Sequence, residues 1–361
     1  MRTPRAHIPS RNAVAAGTPG RIAAAIDWQA ITGITKETAM RRTYFRFAHA
    51  VMASATLAAA AVAAPAFALD NVKVMIGANP GGGFDQTGRS LGAAMIAAGQ
   101  AKAASYDNKG GAGGTIALTQ FVNTDKGNPN ALMVVGAVMV GAIETNKPPV
   151  TLKNATPIAR LFADTMVITV PASSPIKSIK DLTTQLKANP GSVSWGGGSK
   201  GSIDHILAGL VAKESGVDPK KVNYVPFQGG GEASASIMGG HVTVGIAGVS
   251  EFLPFIKSGK MRALAVTSKD RVADIPTLKE QGVNVEIYNW RGVYGAPGTT
   301  PEQRKAMIDA VVKATESKAW KDTLQKNDWT PFLLTGDEFG KFVDSESTRL
   351  GATLRELGVA K

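Results

Sequence analysis

The sequence predicts an α/β fold of two lobes, each a mostly parallel sheet flanked by helices, joined by two hinge strands. Three observations predict it. Short β-rich runs alternate with longer helical stretches, the pattern of strands linked through helical crossovers. Three of these runs pass into a glycine-rich turn and then a helix. Two further runs, near residues 167–171 and 285–295, read as crossings between lobes, giving one lobe of 69–167 plus 290–361 and another of 168–289.

In order, residues 71–78 (NVKVMIGA) read as the first strand, closed by Asn79-Pro80 and Gly81-Gly82-Gly83, with a helix over 85–99. Residues 106–109 form a short strand before the turn 110–114, where Thr115 can cap the next helix, and 132–140 read as one buried apolar strand. A strand over 167–170 ends at Pro171. Ser178, with Asp181 three residues on, has the spacing of a capping box for a helix running to Leu186. The strand 193–195 turns through 196–202 into a helix over 203–215, and 222–226 turns through Gln228-Gly229-Gly230-Gly231 into a helix over 232–238. Strands at 242–247 and 263–267 and helices at 301–315 and 336–357 complete the chain.

A leader precedes this body. From Met40 the chain carries Arg41, Arg42 and Arg46, then an uncharged apolar stretch over 48–64, then Ala66-Phe67-Ala68. That is a signal peptide over 40–68, cleaved after Ala68, with the mature chain from Leu69. The apolar run is short, alanine-rich and followed by Pro65, so it does not read as a membrane anchor. Arg41-Arg42 with Tyr44-Phe45 loosely fits a twin-arginine signal, and either export route stays open. Residues 1–39 lie upstream of the signal without hydrophobic periodicity. They read as a disordered extension, with Met40 the expected initiator.

Composition narrows the chemistry. The 361 residues include no Cys, which excludes disulfides, thiol catalysis and thiolate metal sites. Of 40 Lys+Arg and 28 Asp+Glu, eight and two precede residue 69, leaving 32 against 26, or +6, for the body. The bases are scattered and not interleaved with aromatics, so no nucleic-acid partner is expected. A modest positive field favours a small anion. His205 and His241 are the histidines of the body, too few for a transition-metal centre, and no cofactor is expected.

The glycine junctions carry the candidate site. Glycine lets backbone approach a ligand, and the first turn of a helix presents unpaired N–H groups at a positive dipole end. Such junctions lie at the carboxyl ends of strands, where α/β folds bind ligands. The turns of Gly81, Gly82 and Gly83, of Gly197, Gly198 and Ser199, and of Gln228 and Gly229 can together grip a carboxylate through backbone donors. Ser199, Ser202, Thr87 and Gln228 add side-chain donors. Asp85 reads first as a helix cap, since a carboxylate facing an anion would repel it. Arg291 can clamp a carboxylate or pair with an acid, and both readings stand. Trp290 reads as packing between lobes.

Enzymatic alternatives find little support. Gly197-Gly198-Ser199-Lys200-Gly201 matches the G-x-S-x-G nucleophile elbow, which makes a serine hydrolase using Ser199 the alternative. Its histidine partner is missing, because His205 sits on the next helix and His241 comes too early; His205 reads instead as a donor behind the site. No dinucleotide fingerprint follows the first strand and no Walker A motif appears.

Asn79-Pro80-Gly81-Gly82-Gly83-Phe84-Asp85, Ser174-Pro175-Ile176-Lys177, Gly197-Gly198-Ser199, and Val225-Pro226-Phe227-Gln228-Gly229-Gly230-Gly231-Glu232-Ala233 form one set of motifs. Gly239-Gly240-His241-Val242, Gly259-Lys260-Met261-Arg262-Ala263-Leu264-Ala265-Val266 and Ile275-Pro276-Thr277-Leu278 continue it. Together they resemble the solute-binding proteins of tripartite tricarboxylate transporters, the Bug or TctC family, over residues 70–361. The resemblance implies a type II-like periplasmic binding fold that closes over its ligand, in a monomer that performs no catalysis. It implies a carboxylate held by the first glycine turn and the 197–202 turn, partly through water, with Phe84 and Ser250 joining the contacts. It further implies delivery to membrane permease subunits, or, as an alternative, presentation of the ligand to a receptor kinase. Many relatives carry Asp shortly after the strand 242–247, where this chain has Gly248-Val249-Ser250-Glu251. That departure, with Trp290-Arg291-Gly292-Val293, points to a citrate-like di- or tricarboxylate rather than an amino acid.

Overall fold

The computed structural model describes residues 69–361. The leader over 40–68 and the extension over 1–39 lie outside the described residues. The first half of the chain gives β1 (Leu69–Ile76), α1 (Gly83–Ala97), β2 (Ala101–Asn108), α2 (Thr115–Thr124), β3 (Ala131–Gly136), α3 (Ala137–Asn146) and β4 (Thr156–Pro171). There follow α4 (Ile179–Ala188), β5 (Ser194–Gly197), α5 (Ile203–Glu214), β6 (Asn223–Pro226), α6 (Gly230–Met238), β7 (Val244–Gly248) and α7 (Val249–Lys257). The chain ends with β8 (Met261–Val266), β9 (Tyr288–Gly295), α8 (Pro301–Glu316), α9 (Lys318–Asn327), β10 (Thr330–Thr335) and α10 (Gly336–Glu356).

The strands form two sheets that share β4. In the first, β1 runs parallel to β2 and β3, while β9 lies antiparallel between β3 and β4, and β10 pairs antiparallel with β4. In the second, β5 runs parallel to β6 and β7, and β4 lies antiparallel between β7 and β8. The α/β architecture is as the sequence predicts, but parallel pairing is confined to the strands joined through helices. Strands β9 and β10 run against β1–β3 in the first sheet, and β4 runs against its neighbours in the second, which makes both sheets mixed. The change of sheet falls between Thr165, opposite Tyr288, and Met166, opposite Gly248.

Burial explains the strands. All six residues of β3 are buried, as expected for a strand covered on both faces, and β4 is buried from Ile158 to its end. The predicted strand over 132–140 is therefore half right. Its apolar run continues past Gly136 into α3, because a fully buried helix and a fully buried strand share one hydropathy signature. Similarly, Thr115 does not cap α2 but begins it, and the cap is Gly114 at φ +90°. The capping box of Ser178 and Asp181 forms as predicted, worth about 1 kcal/mol to α4. A main core around Val74, Ile76, Val134, Ile168, Trp195 and Leu207 extends across both sheets. Among the described residues no helix is long and apolar enough to cross a membrane.

Candidate functional site

The glycine junctions converge. A cavity of about 320 Å³ lies between elements of the two sheets. Its wall takes Gly82, Gly83 and Phe84 from the β1–α1 junction, and Gly198, Ser199 and Lys200 from the β5–α5 junction. Gln228, Gly229 and Gly230 come from the β6–α6 junction, and Gly111, Ala112 and Gly113 from the turn before α2.

At the first junction Gly81 adopts φ +90°, a conformation that side chains disfavour, and this aims the chain into α1. Asp85 folds back to accept from the Gly81 amide at 3.1 Å, and it also takes Arg89 at 2.9 Å and Asn108 at 3.0 Å. It shapes the turn from behind but does not cap α1 as the sequence reading has it: the cap is Gly82, and Asp85 stands inside the helix. Gly82 and Gly229, the caps of α1 and α6, bring no side-chain acceptor to their helices. The two junctions press together: the Asn79 amide donates to the Gln228 carbonyl at 3.4 Å, and a Cβ on Gly82 would stand 2.9 Å from the Gly230 nitrogen.

The second junction is held by a polar net. The Gly198 amide donates to Asp204 at 2.6 Å, and Tyr224 donates to the Gly198 carbonyl at 2.8 Å. His205 stacks on Tyr224 with centroids 4.1 Å apart, and its Nδ1 accepts from the Gly201 amide at 3.2 Å. Burial, with the nearby Lys200 charge, pushes its imidazole down to about 4, so it is neutral. Ser202 caps α5 through the His205 amide at 3.4 Å. Ser199 Oγ is buried on the wall with no hydrogen-bond partner among the described residues. Ser199 and His205 are thus not paired as nucleophile and base.

The predicted contacts divide accordingly. Gly82, Gly83, Phe84, Gly198, Ser199, Gln228, Gly229 and Arg291 reach the wall. Gly81, Asp85, Gly197, Ser202 and His205 stand behind it, building the turns. Ser250 points away and donates to Asp164 at 2.9 Å. Sequence reasoning missed Lys200, Asp204, Glu251 and Asn289, which also face the cavity.

Arg291, left open between clamp and ion pair, forms the pair. Only 2% exposed, it donates to Glu251 at 2.9 Å and lies 3.9 Å from Asp164, with Phe84 beneath it. The Glu251 carboxylate reaches from α7 toward Gly82 and Gly230. Asp164 and Asp204 are each pushed up to about 7, chiefly by burial and further by the Glu251 charge; Arg291 opposes this at Asp164, and the Gly198 amide opposes it at Asp204.

These two carboxyls make stability depend on pH. Their native values stand above the ordinary 3.8, so between about pH 4 and 7 the folded chain holds protons that the unfolded chain releases. Stability is therefore expected to fall as pH rises through this window, by a few kcal/mol from the two carboxyls, partly offset below about pH 6.5 by His205, whose depressed value works in the opposite sense. Thermal unfolding at pH 5.5 and 7.5 checks it: the midpoint should be higher at 5.5, and Asp204→Asn should narrow the gap.

Known proteins place the chain. The model of the tripartite tricarboxylate transporter family receptor (TctC) matches residues 93–359. Protein BugT of Bordetella pertussis is 26% identical over 298 residues, covering 80% of this chain and 89% of BugT. The structure of periplasmic binding protein BugD aligns with TM-score 0.74 at 22% identity, over 81% of this chain and 99% of BugD. MatC from Rhodopseudomonas palustris, solved with bound malate, aligns with TM-score 0.70 at 22% identity, over 80% and 100%. The fold is that of the periplasmic binding proteins, and the chain belongs to the tripartite tricarboxylate transporter family of receptors.

Proposed function

We propose that this chain is exported to the periplasm, captures a small carboxylate in the cavity between its two sheets, and delivers it to the permease subunits of a tripartite tricarboxylate transporter. One observation carries the reading. Glycine junctions from both sheets put backbone amides, an uncapped helix end on each side and the Ser199 hydroxyl, unpartnered among the described residues, onto the wall of one cleft. Backbone donors at helix N-termini suit a carboxylate without needing a dedicated cation. The bound malate of MatC belongs to the same ligand class and supports it.

The lobes of this reading are 69–167 plus 290–361 and 168–289, hinged where β4 changes sheet and where the chain returns into β9. The narrower expectation of a citrate-like acid rests on the lack of Asp on this stretch, where Glu251 is turned toward the cavity. The ligand class is therefore set at small carboxylates. A thermal-shift screen of the purified protein against mono-, di- and tricarboxylates, aromatic acids and amino acids tests it; if no carboxylate raises the midpoint, the reading fails. Ser199→Ala should weaken the best ligand by about 1–2 kcal/mol, the worth of a hydrogen bond to a charged acceptor. Esterase activity lost in that variant would instead point to the hydrolase alternative.

A further inference from the structure

The cavity's charge arrangement bears on which carboxylates it admits. Four ionisable side chains line it: Lys200, Asp204, Glu251 and Arg291. The guanidinium of Arg291 would be the natural clamp for an anion, but it is already engaged by Glu251 at 2.9 Å, with Asp164 fully buried just behind. Glu251 comes from the opposite sheet's helix α7, and its second oxygen lies beside Gly82 and Gly230, at the uncapped ends of α1 and α6. A protein carboxylate thus neutralises the cation on that side of the cavity and lies close to both helix ends.

What remains for the ligand is lopsided. One side offers the unpartnered Ser199 hydroxyl and Lys200, which makes no ion pair among the described residues. The other side offers the Glu251 carboxylate, which accepts hydrogen bonds and repels anions. We propose, resting on the solute-binding reading above, that Glu251 is a specificity-determining residue. By neutralising Arg291 across the cleft, it restricts the cavity to ligands with one carboxylate and a hydroxyl donor at the far end, and it turns away di- and tricarboxylates.

The chemistry is that of a charge filter. In a partly desolvated cavity, two like charges a few ångströms apart repel by enough to change affinity about tenfold or more. A hydroxyl in the same place donates to the carboxylate instead, a stronger bond than one between neutral partners.

Calorimetric titration of the purified protein with matched pairs tests this: succinate against 4-hydroxybutyrate, and adipate against 6-hydroxyhexanoate. The wild-type protein should bind the hydroxy acid of a pair at least about tenfold more tightly than the diacid. Glu251→Gln, which keeps size and hydrogen bonding but removes the charge, should move that ratio toward the diacid by about the same factor. A wild-type preference for the diacids overturns the filter without needing any variant, and so does an unchanged ratio in a Glu251→Gln protein that melts cooperatively. If neither these acids nor any carboxylate of the wider screen binds, the solute-binding reading itself falls, a result distinct from a reversed preference.

Discussion

Gly82→Val is expected to weaken carboxylate binding by about a hundredfold while the protein stays folded. The backbone at Gly82 is extended, with φ −98° and ψ 177°, so valine meets no conformational penalty of its own. The obstacle lies across the cleft. A Cβ there would stand 2.9 Å from the Gly230 nitrogen and 3.4 Å from its Cα, and backbone cannot swing aside as a side chain can. The branched methyls would wedge the β1–α1 and β6–α6 junctions apart, opening the wall on which the amides converge. Overpacking of this kind costs about 1–3 kcal/mol, and the cost falls on the closed cleft rather than on the core. Calorimetric titration with the best ligand of the screen, together with a melting curve, checks both halves of the expectation. Unchanged affinity would show that the junctions need not meet.

Arg291→Ala should be the most destabilising change at the site. It removes the guanidinium paired with Glu251 and strands that carboxylate, and Asp164 behind it, in a buried setting. Breaking a buried ion pair from one side costs about 3–5 kcal/mol. For a body of this size that lowers the melting midpoint by about 10 °C. The loss should shrink at pH 5.5, because Asp164, already pushed up to about 7, takes a proton more readily once its cation is gone. Melting curves of the variant and wild type at pH 5.5 and 7.5 decide it; an equal deficit at both would mean that lost packing, not stranded charge, accounts for the damage.

Much of this architecture was legible in the sequence, because its strongest signals are local. A strand that ends in consecutive glycines and resumes as a helix can be read without tertiary information, and the three predicted junctions do meet at one cavity. The box of Ser178 and Asp181 is local in the same way. The apolar run over 132–140 was illegible as strand and helix, since both of its parts are buried on all sides. Asp204 and Glu251 were hidden for a different reason. Asp85, Asp204 and Glu251 all sit in the first turn of a helix after a strand, where an acid ordinarily serves the helix end. Asp85 braces the Gly81 turn ahead of the helix, Asp204 ties down the Gly198 amide, and Glu251 crosses the cleft to Arg291. Only the tertiary fold distinguishes these fates. Arg291 was likewise ambiguous until Glu251 was found opposite it.

The long strand β4 has a mechanical consequence. Its sixteen residues are continuous while their pairing passes from one sheet to the other within a single step, Thr165 to Met166. Any swing of one half against the other must be absorbed as twist or bend along this spine, since no loop there offers slack. A register shift between Ile168 and Thr169, against β8, is the nearest irregularity able to yield. In the proposed two-lobed reading, an unbroken β4 would hold any opening to small rotations about this axis.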